Sequence, residues 1–161
     1  RLVRLVKRKG NKLVDVTDTK EDTQEFLRHG AYRYEAGCGG LYGTITDYEH
    51  MARMLCSNGM YQGKQFLRPE TVCLMHTEAQ KQHLEPEPGF TWGLSVKIRQ
   101  NPELSGSYAH KGTYGWSGAF GTHFFVCPDE KLEAVFMTNR SDLGGSGSYI
   151  SEKVEELVFG S

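Results

Sequence analysis

The chain has 161 residues, 38% of them hydrophobic and 24% charged, with a formal net charge of −1. That length suits one domain or a large piece of one, and the composition excludes a disordered chain. No run approaches the roughly 18 consecutive apolar residues of a transmembrane helix, and the basic residues are dispersed, so neither a membrane segment nor a nucleic-acid partner is expected.

The chain opens on Arg1, and Leu2-Val3-Arg4-Leu5-Val6 already reads as strand, with no signal-peptide pattern ahead of it. A start in mid-element is expected of a fragment, a processed product or a trimmed form. Residues 2–8 and 12–17 predict a β-hairpin closed by Gly10-Asn11. Its basic cluster, Lys7-Arg8-Lys9, fits a solvated hairpin tip. Polar residues 18–36 predict turns and irregular structure. The run Gly37-Cys38-Gly39-Gly40 demands close packing or positive φ angles. As a phosphate cradle it lacks the Gly-Lys-Ser/Thr ending.

Thr46-Asp47-Tyr48-Glu49 has the capping-box pattern, and Tyr48, Met51, Ala52 and Leu55 follow at helical spacing up to Asn58-Gly59. A short hairpin is predicted around Gln62-Gly63-Lys64, and Pro69 fits the first position of a helix carrying Val72, Cys73 and Met75. Pro86, Pro88 and Gly89 mark a loop. From Phe90 to Ile98 the period becomes two, which predicts one strand. His123–Val126 and Leu132–Met137, joined by Pro128-Asp129-Glu130-Lys131, predict a hairpin buried on both faces. Beyond the Gly144–Gly147 spacer, Ile150, Val154, Leu157 and Val158 give an amphipathic C-terminal helix. The order of elements argues for an α+β fold. Residues 1–88 are its hairpin and helical portion, and residues 89–161 its antiparallel strands and last helix.

Four cysteines, Cys38, Cys56, Cys73 and Cys127, form no C-x-x-C pair, and the six histidines are scattered. Free buried thiols are expected, and a metal site is not.

Gly37-Cys38-Gly39-Gly40-Leu41-Tyr42-Gly43-Thr44 with the following helix is similar to the glycine-rich stretch of the serine β-lactamase and penicillin-binding-protein family. The stretch from Gly63 to Val72 resembles the segment after it, and Tyr114–Thr122 running into Val126-Cys127-Pro128 resembles the third motif and its following strand. The resemblance spans nearly the whole chain in order. It implies the C-terminal part of a β-lactamase/transpeptidase-like fold. The family's S-x-x-K and Y-x-N lie upstream of the glycine-rich stretch, and this sequence contains neither. The chain alone is therefore expected to be inactive, and the complete protein to act by acyl transfer through a serine ester.

The third motif maps onto Trp116-Ser117-Gly118, as in the esterase-like branch. The resemblance implies that Ala119 offers an oxyanion-hole N–H, that Ser117 hydrogen-bonds substrate, and that Trp116, Gly118 and Tyr114 line the pocket. A competing register is His110-Lys111-Gly112, but it does not keep the spacing to Pro128-Asp129. Gly115-Trp116-Ser117-Gly118-Ala119 also approaches a nucleophile elbow, with Ser117 as nucleophile. An elbow needs an apolar parallel strand before it and a helix after it, and neither is predicted. No metal or organic cofactor is implied. The expected partners are a small-molecule or peptide substrate and, at the edge of Leu132–Met137, the N-terminal part of the same protein or a second copy. The rival is a non-catalytic binding module on the same scaffold.

Overall fold

The structure is a computed structural model, described over residues 2–22, 41–79, 87–145 and 148–160. The Gly37–Gly40 run, Cys38 and most of the polar stretch 18–36 lie outside the described residues. Strands β1 (Val6–Lys9) and β2 (Lys12–Asp15) form the expected antiparallel hairpin, shorter at its open end than the alternation suggested. Helix α1 spans Ile45–Cys56 and starts two residues earlier than predicted. Thr44, not Thr46, is its cap: the Thr44 hydroxyl accepts from the Asp47 N–H at 3.1 Å, and the Asp47 carboxylate accepts from the Thr44 N–H at 3.0 Å. This start places an acidic residue in the first turn, where the helix dipole favours it. It also releases Glu49 to pair with Arg53 one turn on. Asn58 and Gly59 end the helix in the left-handed region, as expected.

Strands β3 (Met60–Tyr61) and β4 (Lys64–Gln65) make the short hairpin, and helix α2 (Pro69–Met75) carries Pro69 in its first turn. The predicted strand Phe90–Ile98 is instead a hairpin, β5 (Phe90–Trp92) and β6 (Lys97–Arg99). Gly93 breaks it: a Cβ there would lie 1.9 Å from the Met75 carbonyl oxygen, and the Leu94 N–H donates to that same oxygen at 3.1 Å. The turn is thus bolted to the end of α2, a contact that alternation cannot show.

After the short helix α3 (Pro102–Ser105) come β7 (Tyr114–Ser117), β8 (His123–Cys127) and β9 (Leu132–Phe136). With β5 and β6 they form an antiparallel five-stranded sheet in the order β5-β6-β7-β8-β9. All of β8 is buried, but β9 is the outer strand and only half-buried, so burial on both faces holds for one arm of that hairpin. The fold is α+β, closed by helix α4 (Tyr149–Phe159).

Strand alternation sorts the sheet into two faces. Ile98, Tyr114, Phe124 and Val126 pack with Ala52 and Leu55 of α1 and Val72 of α2, forming the apolar core. Each fully buried aliphatic or aromatic side chain there contributes about 1.5–3 kcal/mol. On the opposite face Arg99, Ser117, His123 and Phe125 meet α4 through Glu155 and Phe159. The apolar stripe predicted for α4 does not face the sheet throughout: Leu157 is 78% exposed, while the buried positions are Ser151 and Glu155. Among the described cysteines, all free, only Cys127 is buried. Cys56 is half-buried, and Cys73, expected inside, is exposed.

Candidate active-site wall

Trp116 stands near the end of β7 on the core face, beyond the cover of α1, and is 41% exposed. Its ring lies 4.6 Å from that of Trp92 on β5, at 57°. A hollow of about 160 Å³ beside it is lined by Tyr48, Trp116, Gly118, Thr122, Phe124 and Val135, among others. Tyr48 meets Phe124 edge-on at 5.3 Å, and burial raises its phenol pKa, keeping it protonated.

After Ser117 the chain turns sharply. The Gly118 N–H donates to the Thr122 carbonyl at 2.8 Å, and the Gly118 carbonyl accepts from Gly121 and Gly145, each at 3.1 Å. A Cβ on Gly118 would come within 2.3 Å of the Thr122 hydroxyl, which would have to turn away to admit a side chain here. Ala119 is exposed on this turn, with its backbone against Gly144.

The expected site residues take both faces of the sheet, while Tyr114, Trp116 and Ser117 all border one cavity. Trp116, Gly118 and Ala119 lie together at the end of β7. Tyr114 is a core residue, 1% exposed, stacked on His76 at 4.5 Å and donating its hydroxyl to the Leu55 carbonyl at 3.3 Å. Ser117 is 5% exposed and points to the opposite face from Trp116, where its Oγ is 2.7 Å from His123 Nδ1. The alternative motif His110-Lys111-Gly112 occupies the turn before β7, with His110 paired to Glu130 and the Gly112 N–H donating to the Arg99 carbonyl at 2.8 Å.

Behind Ser117 lies a polar network that sequence reasoning missed. His123 Nε2 approaches Glu155 Oε1 at 3.3 Å, off the hydrogen-bond direction. The Glu155 carboxylate accepts from Arg99 at 2.5 Å and from the Ser107 hydroxyl at 2.8 Å. Burial, the largest influence on Glu155, opposes ionisation, but the contacts from His123, Arg99 and Ser107 outweigh it and hold the carboxyl down at about 2. A cavity of about 300 Å³ adjoins the network, with Arg99, Tyr108, Tyr114, Trp116, Ser117 and Glu155 in its walls. Ser117, His123 and Glu155 have the connectivity of a hydrolytic triad. However, β7 is antiparallel and leads into a turn, not a helix, so the elbow context is absent. The next N–H, that of Gly118, is spent on Thr122. The register Ser117↔His123 is the signal that exposes this pair, because it follows from folding the hairpin about residues 118–122.

An antiparallel sheet with its core helix on one face, a terminal helix on the other and a glycine-bearing turn at the end of a central strand defines a recognisable class. The family model described as Beta-lactamase matches residues 6–158, and the chain belongs to that family. Protein Rv1367c of Mycobacterium tuberculosis is 32% identical over 110 residues, covering 62% of this chain and 27% of that protein. Esterase EstB of Burkholderia gladioli is 26% identical over 116 residues, covering 71% of this chain and 28% of the esterase. The solved structure of EstCE1, described as a hydrolase with promiscuous acyltransferase activity, superposes with a TM-score of 0.77 at 22% identity. That likeness of fold covers 97% of this chain and 43% of EstCE1. The chain thus spans about a quarter of the length of the curated relatives it matches.

Proposed function

We propose that this chain supplies one wall of an acyl-transfer site in a serine hydrolase of the beta-lactamase family. The observation that carries the reading is the exposed Trp116 followed by the Gly118–Ala119 turn, in a chain whose family match runs nearly end to end. The nucleophilic serine and its lysine belong to sequence outside these 161 residues, since no S-x-x-K occurs within them. In the complete protein that serine attacks the carbonyl of an ester, β-lactam or D-amino-acid peptide and expels the alcohol or amine. Water then releases the acid and restores the serine. The Ala119 N–H is one of the two donors to the oxyanion, and Trp116 packs against the acyl or leaving group. The sheet edge at β9 is covered by the N-terminal part of the same protein or by a second copy.

The test is intact-mass spectrometry of natively purified protein after reaction with a fluorophosphonate or serine-reactive β-lactam. The expected result is an unmodified 18.1 kDa chain and a label on polypeptide carrying the upstream serine. A label on Ser117 would overturn the assignment. An absence of label in a preparation that contains the upstream sequence would favour a non-catalytic binding module. In the active protein, Ala119→Pro removes one donor and should lower kcat by about 10²–10³-fold.

A further inference from the structure

Ser117 is the last residue of β7, flanked by the two residues assigned above to the wall, Trp116 and Gly118. On one side β7 is poorly held there: its pairing with β6 covers only Tyr114 and Gly115, because β5 and β6 are already joined by the turn at residues 93–96. Trp116 and Ser117 pair with β8 alone, opposite Phe124 and His123. Beyond the backbone bonds of the Gly118 turn, this strand end is fixed by the Ser117–His123 bond at 2.7 Å, and His123 in turn faces Glu155 on α4. Glu155 is anchored from two further directions, by Arg99 on β6 and by Ser107 beyond α3. Ser117, His123, Glu155 and Arg99 are each more than nine-tenths buried, at the wall of the 300 Å³ cavity.

We propose that His123, Glu155 and Arg99 are positioning residues: through Ser117 they link the carboxyl end of β7 to α4 and so set the angle at which Trp116 meets substrate. The role in substrate contact rests on the acyl-transfer reading; the tether itself does not. None of the three touches the reacting atoms. They act on the far face of the sheet, and the strand carries their effect across it by one residue of alternation.

The chain has two tryptophans, and their rings are 4.6 Å apart. The exciton couplet of this pair in the far-UV circular dichroism therefore reports the orientation of Trp116 relative to Trp92, with no turnover needed. Ser117→Ala leaves the His123–Glu155–Arg99 group intact and cuts only its link to the strand. The couplet is expected to fall by roughly twofold or more, because ring coupling depends steeply on distance and angle. Ser117→Thr, which keeps the hydroxyl, restores it. Thermal melts of the same samples measure stability separately. A couplet unchanged in Ser117→Ala, whatever the melting temperature does, overturns the proposal. Should Ser117→Ala not fold, the isosteric Glu155→Gln makes the same test from the other end of the tether. A couplet lost in Ser117→Ala, together with unmutated protein that bears the upstream sequence yet resists fluorophosphonate, would uphold the tether and sink the acyl-transfer reading instead.

Discussion

The two faces of the five-stranded sheet are built on opposite principles. The α1 face is held by apolar packing, with Leu55, Val72, Tyr114 and Phe124 closing against one another. The α4 face buries a guanidinium, a carboxylate, an imidazole and the Ser117 hydroxyl in one group, with the half-buried Ser107 hydroxyl at its margin. Apolar packing is strong and tolerant of small shifts, whereas a buried ionic network contributes little net stability but has few satisfactory geometries. The apolar face secures the fold, and the polar face fixes the register of α4 and the strand end beneath Trp116. The exposed tryptophan is thereby carried by a strand whose two sides are stabilised by different means.

The contrast can be broken most forcefully at Arg99. Arg99→Ala leaves the Glu155 carboxylate buried without its main partner and should cost about 3–5 kcal/mol, read from urea denaturation. The double replacement Arg99→Leu with Glu155→Leu should recover most of that loss; if it does not, the network is a source of stability and the contrast fails. Leu55→Ala, on the other face, should cost about 2–5 kcal/mol through lost burial and the cavity left behind. It should leave the tryptophan couplet in place, because the tether lies across the sheet. The third comparison is in pH. Glu155 is held at about 2 in the folded protein against an ordinary 4.5, so its contribution is complete above pH 4.5 and is lost as pH falls toward 2. Acid titration of stability should show this limb in the native protein and in Leu55→Ala, and Glu155→Gln should flatten it.

What the sequence discloses follows the same division. The apolar face could be read from periodicity: Met51, Ala52 and Leu55 at helical spacing, and the apolar runs of β8 and β9 at strand spacing. The start of α1 was misplaced because Thr44-x-x-Asp47 and Thr46-x-x-Glu49 are both plausible caps, and only the pairing of Glu49 with Arg53 separates them. The turn at Gly93 was hidden inside an unbroken alternation, since what forces it is the Met75 carbonyl, distant in sequence. At the site, the motif points to Trp116, Gly118 and Ala119 together with Tyr114 and Ser117, but it does not tell which face of the sheet each side chain takes. The polar network escaped altogether. Its members come from β6, the segment after α3, β7, β8 and α4, and a Glu on the inner side of a helix reads as a surface residue until its partners are known.

Among the described residues, the hairpin β1–β2 hydrogen-bonds to the segment Asn139–Asp142. The Val6 N–H donates to the Asn139 carbonyl at 3.0 Å, and the Ser141 N–H returns to the Val6 carbonyl at 2.9 Å, a parallel bridge across more than four-fifths of the chain. Asp142 accepts from the Arg8 N–H at 3.3 Å and extends the joint by one contact. Closing so long a loop adds little beyond closing one half as long, about 0.6 kcal/mol. The joint nevertheless gains nothing until β9 has been laid down and its carboxyl end is in place. The docked position of the hairpin therefore depends on the carboxyl end of β9, and hydrogen exchange at the Val6 and Ser141 amides is expected to report its release.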